Sequence, residues 1–256
     1  MKILPVLILS LLLLNACANN TGPGRNPALQ TAQTTNEVAM ANLNLGIEYL
    51  RSGNMEAALD KLNRALQADQ GYFGTHNALG LLYQRLGDPS QAERHFKRAI
   101  ALNQNDSGSK NNYGLFLCQN KRFDEAEKIF IQAAANPLYE TPAVAYANAG
   151  TCALMNNQPG PAEKFFRQAL SISPEIPSAL IQMAQLSYDQ DNFLNARAYL
   201  QRFQSVAKHT AASLLLGIRI EQQLGDRNAV ASYELLLKNN FADSVEAGQL
   251  NKPGGR

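Results

Sequence analysis

The sequence predicts an all-α chain built as a superhelical solenoid of six helix–turn–helix repeats, and three columns of residues predict it. Small residues recur at Gly46, Gly80, Gly114, Gly150, Ala184 and Gly217, spaced by 34, 34, 36, 34 and 33 positions. Alanines keep the same beat at Ala58, Ala92, Ala126, Ala162, Ala196 and Ala229. Four residues after each alanine stands a large side chain: Leu62, Phe96, Phe130, Phe166, Leu200 and Tyr233. Two antiparallel helices need this alternation, because small residues let the backbones approach and large ones fill the seam. Self-similarity at a fixed period marks a stack of units, each burying its face against its neighbours.

The second unit shows the pattern most fully. His76 to Ile100 reads HNALGLLYQRLGDPSQAERHFKRAI, and Leu79-Gly80, Tyr83, Ala92, Phe96 and Ala99 match the tetratricopeptide pattern. Leu86-Gly87-Asp88-Pro89 is its turn, with Gly suited to a helix C-terminus and Pro to the first turn of the next helix. The chain has no Trp. The position where that pattern often opens on Trp holds Asn42, His76, Lys110, Tyr146, Leu180 and Ser213.

Before the repeats, Met1–Ala16 carries one Lys, an apolar run and a small residue. It is too short to span a bilayer and has the shape of an export signal. Leu14-Asn15-Ala16-Cys17 resembles a bacterial lipobox, in which cleavage before the Cys leaves a sulfur that carries diacylglycerol. Ala18 in the next position, rather than Asp, implies sorting to the outer membrane of a Gram-negative cell. The acyl chains would anchor a periplasmic domain without spanning the bilayer. From Cys17 to Asn36 the chain is polar, rich in Gly, Pro, Asn and Thr and nearly uncharged; it reads as a flexible tether.

The first repeat, from Glu37, has Leu45-Gly46, Tyr49, a Gly53-Asn54 turn, then Ala58, Leu62 and Ala65. The second follows from about Phe73. The third has Tyr113-Gly114, a turn at Asn120–Arg122, then Ala126, Phe130 and Ala133. Two extra residues and two prolines fall in Asn136–Pro142 (NPLYETP), where a change of pitch or a division into two halves of three repeats is expected. The fourth keeps Gly150, Ala162 and Phe166. The fifth departs most, with Ala184 for Gly and Phe203 where the other repeats have a small residue. The sixth ends the solenoid at about residue 242, and 243–256, closing on Pro-Gly-Gly-Arg, reads as a frayed tail.

Composition excludes more than it selects. A net charge of +2, from 23 Lys and Arg against 21 Asp and Glu, gives no reason to expect nucleic acid. The three histidines, His76, His95 and His209, lie apart in the repeat register and have no metal-ligand spacing; His76, in the Trp column, is expected to pack. No nucleophile–base motif or phosphate-cradling glycine loop occurs, so no enzyme, small-molecule substrate, metal or cofactor is expected beyond the lipid on Cys17. Charges such as Asp124, Glu125 and Glu93 fall on second helices and read as solvated pairs.

Cys118 and Cys152 stand late in the first helices of adjacent repeats, in a chain read as exported to an oxidising compartment. A disulfide between them would clamp the third repeat to the fourth; the alternative is two separate buried thiols. The inner face of such a solenoid is lined by first-helix residues that do not face the seam. Here these are Leu43, Ile47 and Leu50, then Asn77, Leu81 and Gln84, then Asn111, Leu115 and Cys118. Leu43 and Ile47 argue against a carboxylate clamp and for an apolar groove that takes an amphipathic helix or an extended segment. On this reading Leu43→Asp and Ile47→Asp abolish partner binding without unfolding.

A lipobox, a polar tether and six such repeats, together with Asn112–Phe130 (NYGLFLCQNKRFDEAEKIF) and Ala147–Leu154 (ANAGTCAL), resemble the type IV pilus biogenesis lipoproteins of the PilF/PilW family. The resemblance implies a pilotin, which helps the pilus secretin reach the outer membrane and assemble there as a ring. By position it implies Cys17 as the lipid site, Cys118–Cys152 as a bridge, and no catalytic residue. A periplasmic adaptor for cell-wall hydrolases, or a part of the outer-membrane barrel-assembly machinery, is the other reading.

Overall fold

A computed structural model describes residues 36–250. The export signal, Cys17 and all of the tether but Asn36 lie outside the described residues, as do the last six positions. Helices pair in chain order: α1 (Glu37–Ser52) with α2 (Met55–Ala68), α3 (Phe73–Arg85) with α4 (Pro89–Leu102), and α5 (Ser107–Gln119) with α6 (Phe123–Ala134). Then α7 (Pro142–Met155) pairs with α8 (Pro159–Ile172), α9 (Pro177–Asp189) with α10 (Phe193–Val206), and α11 (Ala211–Leu224) with α12 (Arg227–Asn240). The fold is the expected all-α solenoid of six paired-helix repeats. Among the described residues no helix is long and apolar enough to cross a membrane.

Local chemistry sets the helix ends. Asn36, Asn54, Asp88, Asp106, Asn192 and Asp226 each accept the backbone N–H three residues on, which satisfies a donor that the first turn leaves free. Thr210 and Ser213 form a reciprocal capping box at α11. The turn inside every repeat passes through one left-handed residue: Gly53, Gly87, Lys121, Asn157, Asp191 and Gly225. Three of the six are not glycine, so half the repeats accept a left-handed side chain to make the same turn.

The small column works by contact. A Cβ placed on Gly80 would lie 2.7 Å from the Phe96 ring, and one on Gly114 or Gly150 2.7 Å from Phe130 or Phe166. Those three rings are fully buried, as are Ala58, Ala92, Ala126 and Ala162. In the fifth repeat Ala184 and Leu200 hold the small and large positions and are buried in one cluster. In the sixth repeat Ala229 and Tyr233 are only half-buried, since no full repeat follows.

First helices of successive repeats pack directly on one another: α1 on α3, α3 on α5, α5 on α7, α7 on α9 and α9 on α11. The backbones of successive second helices stand apart. The first helices therefore line the inside of the curve. At Asn136–Pro142, where a change of pitch or a division into halves was expected, the packing is continuous and the array is not divided. One buried cluster joins Ala92 and Phe96 to Phe130, Ala149 and Cys152, and α6 packs on α7 more extensively than at any other junction between repeats. The extra residues are absorbed in the loop, where the Asn136 amide donates to the Asn105 carbonyl at 2.8 Å.

The expected frayed tail is partly ordered. Residues Val245–Leu250 form α13, and Ala247 is buried against α11 and α12. A short apolar turn suffices here because it covers the end of the last repeat, a need that the absence of periodicity in the sequence hid.

Gly80→Ala is expected to destabilise the protein by about 1–3 kcal/mol through overpacking against Phe96. In a Phe96→Leu background the same change should cost much less. Denaturant unfolding of the four proteins in this cycle tests it; strictly additive costs would mean that the ring and the glycine do not constrain one another.

Candidate protein-binding surface

The inner strip of first helices is where the sequence places a partner groove, and the structure divides it into three parts. Leu43, Ile47 and Leu50 do not line an open groove. They are 1%, 5% and 4% exposed and belong to the core cluster of the first two repeats. The reason is the packing of α1 on α3: Leu43 Cδ2 sits so close to Gly74 that a Cβ there would meet it at 3.2 Å. An aspartate at Leu43 or Ile47 would bury a charge, so both changes unfold the first repeat rather than report on binding alone.

Asn77 and Asn111 are also buried, and they tie repeats together. The Asn112 amide donates to Asn77 Oδ1 at 3.1 Å, and the Asn148 amide donates to Asn111 Oδ1 at 2.9 Å. Further along, Gln84 donates to Gln119 at 2.6 Å. The asparagine pairs tie adjacent first helices through buried or half-buried amides, which need such partners, and the glutamine pair does the same at an exposed end of the strip. Asn112, Asn148 and Gln119 were missed as members of this strip; their spacing of 35–37 residues from their partners, one residue more than the local repeat period, was the signal. Leu81 and Leu115 are half-buried and remain as apolar points on the strip.

A more open apolar face lies on the other side of α1. Val38 is 61% and Leu45 48% exposed, with exposed Ala41 between them. One helical face carries all three. In the later repeats the position of Leu45 is held by Leu79, Tyr113, Ala149, Met183 and Leu216, all buried. Leu79 clusters with Ala58 and Leu62 of the preceding second helix, and Tyr113 sits 6.0 Å from the Phe96 ring. Among the described residues α1 has no preceding helix, so the same register position is left uncovered.

Cys118 and Cys152 form a disulfide with Cα atoms 5.8 Å apart, joining α5 to α7 across 34 residues. Of the two arrangements left open by the sequence, the bridge is the one adopted. The bridge lies near the C-terminal ends of α5 and α7 and ties the third repeat to the fourth, the two repeats between which the period slips by two residues.

The charges do more than expected at one place. Glu93 on α4 accepts from Tyr113 Oη on α5 at 2.9 Å, from Arg122 at 2.8 Å and from Lys97 at 2.8 Å. Partial burial opposes its charge, but the bonds from Lys97, Arg122 and Tyr113 outweigh it and hold the carboxyl at about 2. Burial, and then the bond to Glu93, push the Tyr113 phenol up to about 12. A second tie joins α10 to α11, where Arg197 pairs with buried Glu221. Both networks link neighbouring repeats, and neither faces a pocket with a nucleophile. Among the described residues no group of three or more His, Cys, Asp or Glu is placed to hold a metal.

Comparison with known proteins gives the same architecture. Tetratricopeptide-repeat profiles match residues 37–105 and 77–143. The type IV pilus assembly protein PilF of Pseudomonas aeruginosa is 32% identical over 226 residues, which cover 88% of this chain and 89% of that protein. A structure from work on the functional characterisation of P. aeruginosa PilF superposes with a TM-score of 0.76 at 33% identity, covering 84% of this chain and 96% of that one. The crystal structure of PilW, a widely conserved type IV pilus biogenesis factor, gives a TM-score of 0.75 at 30% identity, covering 85% and 100%.

Opening the disulfide, by reduction or by Cys152→Ser, should lower stability. Closing a loop of this length is worth about 3–4 kcal/mol in the chain-entropy account. Thermal melts with and without reductant test this, and the Cys152→Ser protein should no longer respond to reductant. An unchanged midpoint in both cases would show that the α5–α7 contact holds the junction unaided.

Proposed function

The chain belongs to the PilF/PilW family of type IV pilus biogenesis factors, and on that premise we propose that it is a non-enzymatic outer-membrane lipoprotein that binds secretin monomers and promotes their targeting and multimerisation. The observation that carries this reading is likeness over the whole repeat array, α1 to α12, rather than over the generic helix-pair pattern alone. The lipid on Cys17 supplies membrane attachment, and the tether gives the solenoid reach from the outer membrane into the periplasm. Bound secretin monomers are thereby delivered to that membrane by the anchor's own affinity for it.

The docking surface in this reading is the uncovered face of α1, with Leu81 and Leu115 as secondary apolar points on the inner strip. An amphipathic segment laid on Val38, Ala41 and Leu45 would occupy the place that a preceding second helix holds in every later repeat. Helix-in-groove recognition is read through such anchors at three- and four-residue spacing. Polar ties within the strip leave its asparagines committed to the array, so specificity rests on the shape and apolarity of the end face.

A strain lacking the gene is expected to lose secretin multimers from the outer membrane and to lose surface pili. Wild type restores both, Cys17→Ala restores them poorly, and Leu45→Asp gives a folded protein that binds secretin at least about tenfold more weakly, as losing one buried apolar anchor implies. Membrane fractionation, pilus counts and a binding titration measure these outcomes. Normal multimers and pili in the deletion strain would end the pilotin reading. Intact binding by Leu45→Asp would instead move the docking surface elsewhere on the solenoid.

A further inference from the structure

The sequence separates His76 from His95 by 19 residues and suggests no link between them, yet the fold brings them together. Their Nδ1 atoms are 3.0 Å apart, on α3 and α4 respectively. Both rings are buried, at 8% and 6% exposure. The His76 Nε2 lies 3.2 Å from the Gln70 carbonyl, in the connection between α2 and α3. The Tyr83 ring stacks on His95 with centroids 5.5 Å apart and planes 11° from parallel.

These contacts fix the protons. A carbonyl can only accept, so His76 Nε2 carries hydrogen and its Nδ1 is the bare acceptor. His95 must then donate from its Nδ1, which leaves its Nε2 bare. One hydrogen lies between the two facing nitrogens, and the pair is complete when both rings are neutral. A proton added to His76 has only the shared Nδ1 to occupy, which forces the His95 hydrogen round to Nε2, and a second proton leaves two N–H groups facing each other. A proton added to His95 would place an ion in a buried site.

No carboxylate is among the groups that act on either imidazole. The charged groups of the elements packed around the pair are Glu37, Glu48 and Arg51 on α1, Glu56, Asp60, Lys61 and Arg64 on α2, Asp69 after it, Arg85 on α3, Glu93, Arg94, Lys97 and Arg98 on α4, and Lys110 on α5. The cations Arg94 and Arg98 are the ones that act on the pair, and both oppose its protonation. Burial, then neighbouring His76 and Arg94, hold the His95 imidazole down at about 4. His76 is lowered by burial and the two arginines, against the Gln70 hydrogen bond that favours its charged form.

We propose that the His76–His95 pair is an acid-sensitive latch in the second repeat, holding α3, α4 and the α2–α3 connection together while neutral and releasing them when protonated. The latch lies between the first repeat, with its uncovered apolar face, and the disulfide-clamped centre of the array. Its release loosens the first repeat's hold on the remainder and leaves the third-to-fourth junction intact. The direction follows from linkage: both groups take protons more readily in the opened chain, at about 6.5, than in the folded one. The stabilisation is complete above that value and is lost as pH falls from there towards 4.

The test is hydrogen exchange on the full purified protein from about pH 7.5 to about pH 4.5, corrected for intrinsic exchange rates. Peptides spanning 69–102 in the wild type should open progressively more below the ordinary histidine value. The increase is about tenfold in the opening equilibrium per pH unit for each imidazole that protonates on opening. Peptides from α5 to α8 should respond far less. His95→Phe and His76→Gln should each flatten the dependence in 69–102, whatever their effect on stability at neutral pH. Two results would overturn the latch: an unchanged acid response in both variants, or a wild-type titration with both imidazoles protonating near 6.5 and no local opening.

Discussion

The approach of each first helix to the large side chain of its own second helix is the constraint on which the rest of the structure depends. At Gly80, Gly114 and Gly150 there is no room for even one carbon beside the rings of Phe96, Phe130 and Phe166. That distance sets how far apart the two helices of a repeat stand, and with it the height of each step in the stack. Repeats of one height can then stack with first helices touching and second helices apart, which curves the array and gathers the first helices on its inner side. The fifth repeat keeps the pairing of a small with a large residue as Ala184 and Leu200, both buried.

Between repeats the ties differ along the chain. The first two repeats are joined by aliphatic packing around Leu43, Leu62 and Leu79. From the second to the fourth, amide pairs, the Glu93 network and the disulfide add polar and covalent links. Buried polar groups that must find one particular partner penalise alternative registers more sharply than apolar contacts do. This suits the junction at Asn136–Pro142, where the repeat period slips and apolar packing alone would tolerate several alignments.

The end of the stack has a different character from its middle. Every first helix is built with an apolar flank for the helix before it, and in α1 that flank has no such neighbour among the described residues. The face is a consequence of repeat architecture, and a partner segment with matching apolar anchors can make use of it without any specialised pocket. At the C-terminal end α13 packs on α11 and α12 and buries Ala247, so that end, unlike the first, carries a short covering helix. Docking at the N-terminal end sets the partner beside the tether that leads to the proposed lipid anchor.

Periodicity alone determined the fold class, the number of repeats and the six seam contacts, because those depend on residue size at a fixed spacing within one hairpin. It placed Cys118 and Cys152 on adjacent helices and put His76 in a packing position. What it could not decide was which side of a first helix stays open. Leu43 and Ile47 look like a groove in the sequence, and Leu45 is marked only as the neighbour of Gly46 in the repeat pattern. The tertiary structure buries the first two and exposes the third, because burial at these positions depends on whether a neighbouring repeat is present. The His76–His95 contact and the asparagine pairs were hidden for the same reason: each joins residues on different helices, and only the packed distance between those helices makes them partners.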